Sequence, residues 1–148
     1  MRKFASRQQE AEAVERHRIY LGIGSNLTDR FLHLQDAINT LGRLPETSVT
    51  GVSGIYLTEP VGVTDQERFY NGVVQLESAL PPKTLRSHCK EIERHLGRPE
   101  RYRRWGPRVI DLDILLYDDL VMQSNLLCIP HKELALPKIG RASCRERV

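Results

Sequence analysis

Asp111 and Asp113 interrupt the apolar run from Ile110 to Leu116, and their types and spacing are the clearest chemical signal in the chain. In a strand successive side chains point to opposite faces, so the two carboxylates share a face about 7 Å apart while Ile110, Leu112, Ile114 and Leu116 point the other way. Two acids so close repel each other, and holding them beside an apolar run costs free energy unless something cationic neutralises them. The candidates are bound Mg²⁺ or the neighbouring guanidinium groups of Arg104 and Arg108. Mg²⁺ takes one or two carboxylates and completes its octahedron with water and phosphate oxygens, so the pattern suggests a magnesium–polyphosphate site. The plainer alternative is a strand with one solvated face and a surface ion pair.

Asp-Leu-Asp-Ile-Leu-Leu follows Arg-Trp-Gly-Pro-Arg without a gap. Over these residues the chain resembles the signature of the 6-hydroxymethyl-7,8-dihydropterin pyrophosphokinase family, transferases of folate biosynthesis. The resemblance covers about residues 19 to 134 and takes in the strand and Gly24-Ser-Asn26 turn, the stretch Tyr56 to Gly62, Phe69-Tyr-Asn71 and the Pro130-His131 pair. It implies an ATP-dependent transfer of a diphosphoryl group to the pterin hydroxymethyl oxygen, giving AMP, with small molecules as the only partners. It further implies two Mg²⁺ ions on Asp111 and Asp113, with Arg98 and Arg108 joining them as catalytic residues. Lys90, Glu93, Arg98, Arg104, Arg108, Ile114 and His131 fall on nucleotide positions, and Thr58, Pro60, Val61, Phe69, Asn71 and Trp105 on the pterin pocket. The family carries a further arginine two positions after Arg98, where this chain has Glu100.

The residue types suit those roles. A guanidinium fork matches phosphate oxygens bidentately. A flat heterocycle is held by aromatic faces, which Phe69 and Trp105 can supply, and by an amide such as Asn71 that both donates and accepts. Taken singly, each has a plainer reading: Phe69 in a core, Asn71 at a strand-end turn, His131 structural, and the arginines as solvated surface charge.

A chain of 148 residues suits one domain. At 40% hydrophobic and 28% charged it has the composition of an ordinary globular protein. No apolar run approaches the roughly 20 residues that span a bilayer, so a membrane partner is not expected. Cys89, Cys128 and Cys144 make neither a CxxC pair nor an even set, which reads as reduced thiols in the cytoplasm. The net charge of +3 lies wholly in the segment from Lys138 to Val148, so overall basicity is no argument for nucleic acid. What remains is local, a crowd of arginines between Arg94 and Arg108 suited to a compact anion.

The elements that must position these residues follow from periodicity. Ile19 to Ile23 reads as a strand, and Phe31, Leu34, Ile38 and Leu41 recur at helical spacing until Pro45. Val49 to Leu57 and Phe69 to Leu76 read as a long-looped hairpin. Pro81-Pro82 opens a helix with the stripe Leu85, Cys89, Ile92 and Leu96, closed by Gly97. The arginine-rich segment 98–108 then leads into the strand of the two aspartates. Beyond it come a turn at Asp118-Asp119, a short strand from Leu120 to Met122 and an extended segment at Ile129-Pro-His131. The predicted fold is α+β, a ferredoxin-like βαββαβ arrangement with two helices on one face of an antiparallel sheet.

Residues 1–18 read as an N-terminal extension, 19–137 as the pterin pyrophosphokinase domain, incomplete at its C-terminus, and 138–148 as an artefactual tail. Ile139 to Val148 is codon for codon the translation of a sequence resembling a common sequencing-library adapter. A monomer is expected. Gly22-Ile-Gly24 lacks the third glycine of a dinucleotide fingerprint, no Walker A sequence is present, and the histidines have no zinc spacing. Two rivals remain. An RNA-binding module of the same fold would stack bases on a basic, aromatic strand, where this strand carries acids. An inactive remnant is suggested by the tail alone.

Overall fold

Along β1 (His17–Ser25), Ile19, Leu21 and Ile23 alternate with Tyr20, Gly22 and Gly24, and the first set is fully buried. That is the period-two pattern of a strand with one face on a core. In the computed structural model, which describes residues 13–60, 62, 65–97 and 109–134, β1 is followed by α1 (Arg30–Leu41), β2 (Thr47–Val52), β3 (Tyr56–Thr58) and β4 (Phe69–Ser78). Next come α2 (Pro82–His95), β5 (Asp111–Tyr117), β6 (Met122–Gln123) and β7 (Cys128–Ile129). β1 begins two residues before the strand expected from Ile19, because His17 and Arg18 already pair with Ser78 and Glu77.

The main sheet has the order β2-β4-β1-β5, with β3 also on β4, and every pairing is antiparallel. β2 and β3 lie along the same side of β4 and act as one interrupted strand, which gives the ferredoxin-like order. Val49 to Leu57 was expected as a single strand, and the interruption has a local cause. Ser53 keeps its backbone N–H on Val73 O at 2.9 Å, while its hydroxyl accepts the Val73 N–H at 2.8 Å. Ile55 then folds over Gly72, where a Cβ would lie only 2.8 Å from its Cδ1.

Both helices contribute to one core with the sheet. Leu34, Ala37 and Leu41 of α1 and Leu85, Cys89 and Ile92 of α2 cluster with Ile19, Leu21, Ile23, Val74, Leu76, Leu112 and Ile114. Asp29 caps α1 by accepting the Leu32 N–H at 3.1 Å. The helix ends at Leu41, four residues before Pro45, and Phe31 is 55% exposed rather than buried. The first turn meets the sheet through Arg30 instead, stacked 4.1 Å over the Tyr70 ring.

β5 departs from strict alternation. Leu21 faces Ile114 but Tyr20 faces Leu116, so Leu115 is an extra residue in a bulge. Tyr117, not Leu116, therefore takes the next core position, and its hydroxyl donates to Leu80 O at 2.8 Å. The short strand expected at Leu120 to Met122 forms at Met122–Gln123, paired with Cys128–Ile129. Among the described residues no helix is long and apolar enough to cross a membrane.

Candidate active site

The sheet face turned away from the helices is floored by glycine at its centre. Gly22 and Gly24 of β1 lie opposite Asp113 and Asp111 of β5 on one side, and Gly24 lies opposite Asn71 of β4 on the other. Two glycines at i and i+2 on a strand clear one face of side chains over two residues. The clearance at Gly24 is needed: a Cβ there would sit 2.5 Å from Asn71 Oδ1. The Asn71 amide is thus laid across β1, and its Nδ2 donates to Thr58 Oγ1. Thr58, Phe69 and Asn71 are brought together because Thr58 pairs with Phe69, and Tyr56 with Asn71. Pro60 is buried next to them, and Phe69 is only 3% exposed.

The loop between β3 and β4 is tied down at its base. Asn26, 1% exposed, donates through Nδ2 to Gln66 Oε1 at 2.8 Å and to Glu67 O at 3.1 Å. Arg30 donates to Arg68 O at 2.7 Å, and Arg68 pairs with Glu59 across the loop at 2.8 Å. The turn after β1 therefore fixes the chain as far as Arg68, one residue before β4 begins at Phe69. From the sequence, Gly24-Ser-Asn26 reads as a simple turn in which neither Asn26 nor the following Arg30 has a role. The available signal was the spacing of the two glycines, which reads as a cleared strand face once a dinucleotide fingerprint is set aside.

On the other side, α2 lies against β5. Glu93 is 2% exposed; its Oε1 accepts the Leu112 N–H at 2.8 Å, and Lys90 Nζ donates to its two oxygens at 3.2 and 3.1 Å. Cys89, one turn before Glu93 on α2, is part of the core; burial pushes its thiol pKa up to about 12, with the Glu93 charge adding to the effect. Ile114 is 4% exposed with its side chain in the core cluster.

His131 reaches β5 after the cis Ile129–Pro130 bond and donates its backbone N–H to Leu115 O at 3.0 Å. Its Nδ1 accepts the Glu133 N–H at 3.2 Å, which leaves the proton of a neutral ring on Nε2, 3.9 Å from Asp113 Oδ1. Burial lowers the His131 pKa, opposed by the charges of Glu133 and Asp111. The ring beside Asp113 is therefore a neutral donor near pH 7 rather than a third cationic group.

Asp111 and Asp113 are half-buried on their common face, and Asp113 has 32% of its side chain exposed. Among the described residues no three His, Cys, Asp or Glu side chains cluster as a metal cage. Two carboxylates over a glycine-floored face fit a hard cation that keeps waters and takes its remaining oxygens from a phosphate. Val61, Arg98, Arg104, Trp105 and Arg108 lie outside the described residues, as does the segment 138–148. A separate cavity of about 500 Å³, lined by Arg16, Arg18, Tyr20, Glu77 and Asp118, contains none of the site residues.

Residues 20–138 match the family model described as 7,8-dihydro-6-hydroxymethylpterin-pyrophosphokinase. The chain belongs to this pyrophosphokinase family. Among its relatives, the 2-amino-4-hydroxy-6-hydroxymethyldihydropteridine pyrophosphokinase of Pseudomonas aeruginosa is 42% identical over 114 residues, 77% of this chain and 70% of that one. The enzyme of the same name from Bacillus subtilis is 41% identical over 115 residues, 78% of this chain and 68% of that one. The bifunctional protein FolKE of Lactococcus lactis is 46% identical over 114 residues, 77% of this chain but only 32% of its own length. In pyrophosphokinase terms, the family match includes every described site residue, from Thr58 on β3 to His131 after β7.

Proposed function

We infer that this protein transfers the β,γ-diphosphoryl group of ATP to the hydroxymethyl oxygen of 6-hydroxymethyl-7,8-dihydropterin, releasing AMP and the pterin diphosphate for folate biosynthesis. The observation that carries the reading is the pair Asp111 and Asp113 on one face of β5, across the glycines of β1 from Thr58 and Asn71, in a chain of this family. Asn71 and Thr58 bind the amide-like edge of the pterin, while Pro60, Phe69, Val61 and Trp105 enclose its ring. Asp111 and Asp113 would hold two Mg²⁺ ions, which when bound supply charge neutralisation on the phosphates and lower the cost of ionising the attacking hydroxyl.

The remaining work is positioning, which dominates phosphoryl-type transfer. The tied loop base orients the pterin so that its hydroxymethyl arm points across Gly24 toward the aspartates. Neutral His131 donates through Nε2 to an oxygen held beside Asp113, and Arg98, Arg104 and Arg108 offset the charge of the triphosphate. Lys90 and Ile114 belong to the nucleotide side, and Glu93 lies behind Lys90, salt-bridged to it at 3.1 Å. The same reading takes the enzyme as a cytoplasmic monomer. The free thiols of Cys89 and Cys128 suit a reducing compartment.

An RNA-binding module finds no support in the relatives, and acids occupy the strand face where such a module stacks bases. The deciding experiment is ³¹P NMR of the protein with ATP, Mg²⁺ and the dihydropterin. AMP and a diphosphate ester are expected in equal amounts. ADP, or no product at all, overturns the reading.

A further inference from the structure

We infer that Glu93 is a positioning residue for the cation site: its carboxylate takes the place of a missing neighbour strand on the open edge of β5 and fixes the segment Asp111–Asp113 from its midpoint. The inference rests on the diphosphoryl-transfer reading, in which those two aspartates hold the metal.

Among the described residues β5 is an edge strand, bordered in the main sheet only by β1. Leu112 lies opposite Ile23, yet its N–H goes to Glu93 Oε1 at 2.8 Å, so this amide points off the open edge and away from β1. An edge amide is ordinarily left to water or covered by a loop. Here it is met by a charged acceptor that is 2% exposed, reaching from α2. Hydrogen bonds with an ionised partner are shorter and roughly twice as strong as neutral ones, so the tie is stiff. It acts midway between the two aspartates, where one contact resists both a twist of the strand about its axis and a slide along it. Either motion would change the direction or spacing of the two carboxylates together.

Stability alone does not account for a carboxylate at this position. The buried face of α2 is otherwise Leu85, Cys89 and Ile92, and a buried ion pair is generally no more stabilising than well-packed apolar groups of similar volume. Lys90 matches the charge of Glu93 at 3.1 Å while keeping 36% of its own side chain exposed. This buried ion meets β5 at the amide between Asp111 and Asp113. Outer-shell contacts of this kind orient metal ligands without touching the metal. With 2% exposure, Glu93 acts through β5, in contrast to a side chain that lies against the nucleotide.

The test compares Glu93→Gln, which keeps an acceptor oxygen, with Glu93→Leu, which removes it, using the full chain. Three quantities are read: hydrogen exchange of the Leu112 amide by NMR, Mn²⁺ affinity by EPR in the presence of a non-hydrolysable ATP analogue, and kcat against KM for ATP. Glu93→Gln should keep the amide protected and Mn²⁺ affinity within about threefold, whereas Glu93→Leu should expose the amide and weaken Mn²⁺ binding and kcat by roughly 10–100-fold. KM for ATP should stay within about threefold in both, since the lost interaction positions the reacting groups rather than binding the nucleotide. A folded Glu93→Leu protein with unchanged Mn²⁺ affinity overturns the proposal. So does a rise of about tenfold in KM for ATP with Mn²⁺ binding intact, which marks direct nucleotide contact. Should Glu93→Leu not fold, Glu93→Asp, shorter by one methylene at equal charge, must show the same loss of amide protection and Mn²⁺ affinity, and unchanged values there overturn it equally. If the parent protein forms no AMP, the diphosphoryl-transfer reading fails by itself, while the amide and Mn²⁺ measurements still decide the role of Glu93.

Discussion

Gly22 and Gly24 share a face of β1, yet alanine should be tolerated at one and damaging at the other. At Gly24 an added Cβ would stand 2.5 Å from Asn71 Oδ1, far inside the contact distance of about 3.5 Å at which two heavy atoms stop attracting. The obstacle is a short amide held by Thr58 Oγ1 and fixed to β4, so relief requires rotating Asn71 and giving up that hydrogen bond. A lost hydrogen bond costs about 1 kcal/mol, and forcing a methyl group into a filled site costs about 1–3 kcal/mol. Part is returned by the lower chain entropy of the unfolded alanine variant, about 0.4–1 kcal/mol. A net loss of about 2 kcal/mol corresponds to a fall in Tm of roughly 4–8 °C for a domain of this size. At Gly22 the nearest atom is Leu115 Cδ2 at 3.3 Å, the tip of a side chain that can yield by a few tenths of an ångström. There the entropy gain offsets the contact, and Tm should move by no more than about 2 °C. On the proposed reading of Asn71 as the pterin's amide partner, Gly24→Ala should also raise KM for the dihydropterin by about tenfold or more, the equivalent of about 1.4 kcal/mol, with KM for ATP little changed. Melting curves and initial rates on both variants decide the matter. Equal damage from the two substitutions, or an unchanged pterin KM in Gly24→Ala, refutes the view that Gly24 exists to admit Asn71.

Asp111→Asn and Asp113→Asn should each lower kcat by about 10²–10³-fold or more with the fold intact by circular dichroism, since they remove charge where the transition state needs it; activity within a few-fold of the parent in both would remove the metal assignment. Asp118 has its pKa lowered, chiefly by the hydrogen bond with His17 at 2.7 Å and then by the Arg18 N–H. Its stabilising effect is thus fully present above the unfolded carboxylate value of about 3.9 and is lost as pH falls through the lower folded value. Asp118→Asn, which tolerates the residue's φ of 46°, should lower Tm at pH 7 and converge with the parent as acid protonates the carboxylate, and a difference that stays constant as pH falls through that titration would contradict the linkage. The Cys89 thiol, 1% exposed and with its pKa pushed up to about 12, should resist alkylation until denaturant is added, while Cys128 reacts in the native protein. Peptide mapping after native labelling checks this, and early modification of Cys89 would show that α2 opens readily.

Local periodicity was enough to determine both helices, the central strand and the shared face of Asp111 and Asp113, because burial on one side imposes a repeat of 3.6 or 2 residues that is written directly in the chain. The Arg-Trp-Gly-Pro-Arg to Asp-Leu-Asp join, read as a family signature, points to the activity, and the resembling stretches Tyr56 to Gly62, Phe69-Tyr-Asn71 and Pro130-His131 nominate Thr58, Asn71 and His131, which the fold brings to the same face of the sheet or its edge. What periodicity could not reach were the places where one element's side chain fills another element's gap. Ile55 over Gly72 splits the expected strand into β2 and β3, and the bulge at Leu115 moves Tyr117 into the core position assigned to Leu116. Arg30 over Tyr70 leaves Phe31 in solvent. Asn26, which reads locally as a turn residue, ties down the loop before Phe69, and Glu93 is buried on the edge amide of Leu112. These contacts join residues 19 to 41 positions apart. No window of sequence contains both partners, so their pairing is decided only when the strands take their register and the helices settle on the sheet.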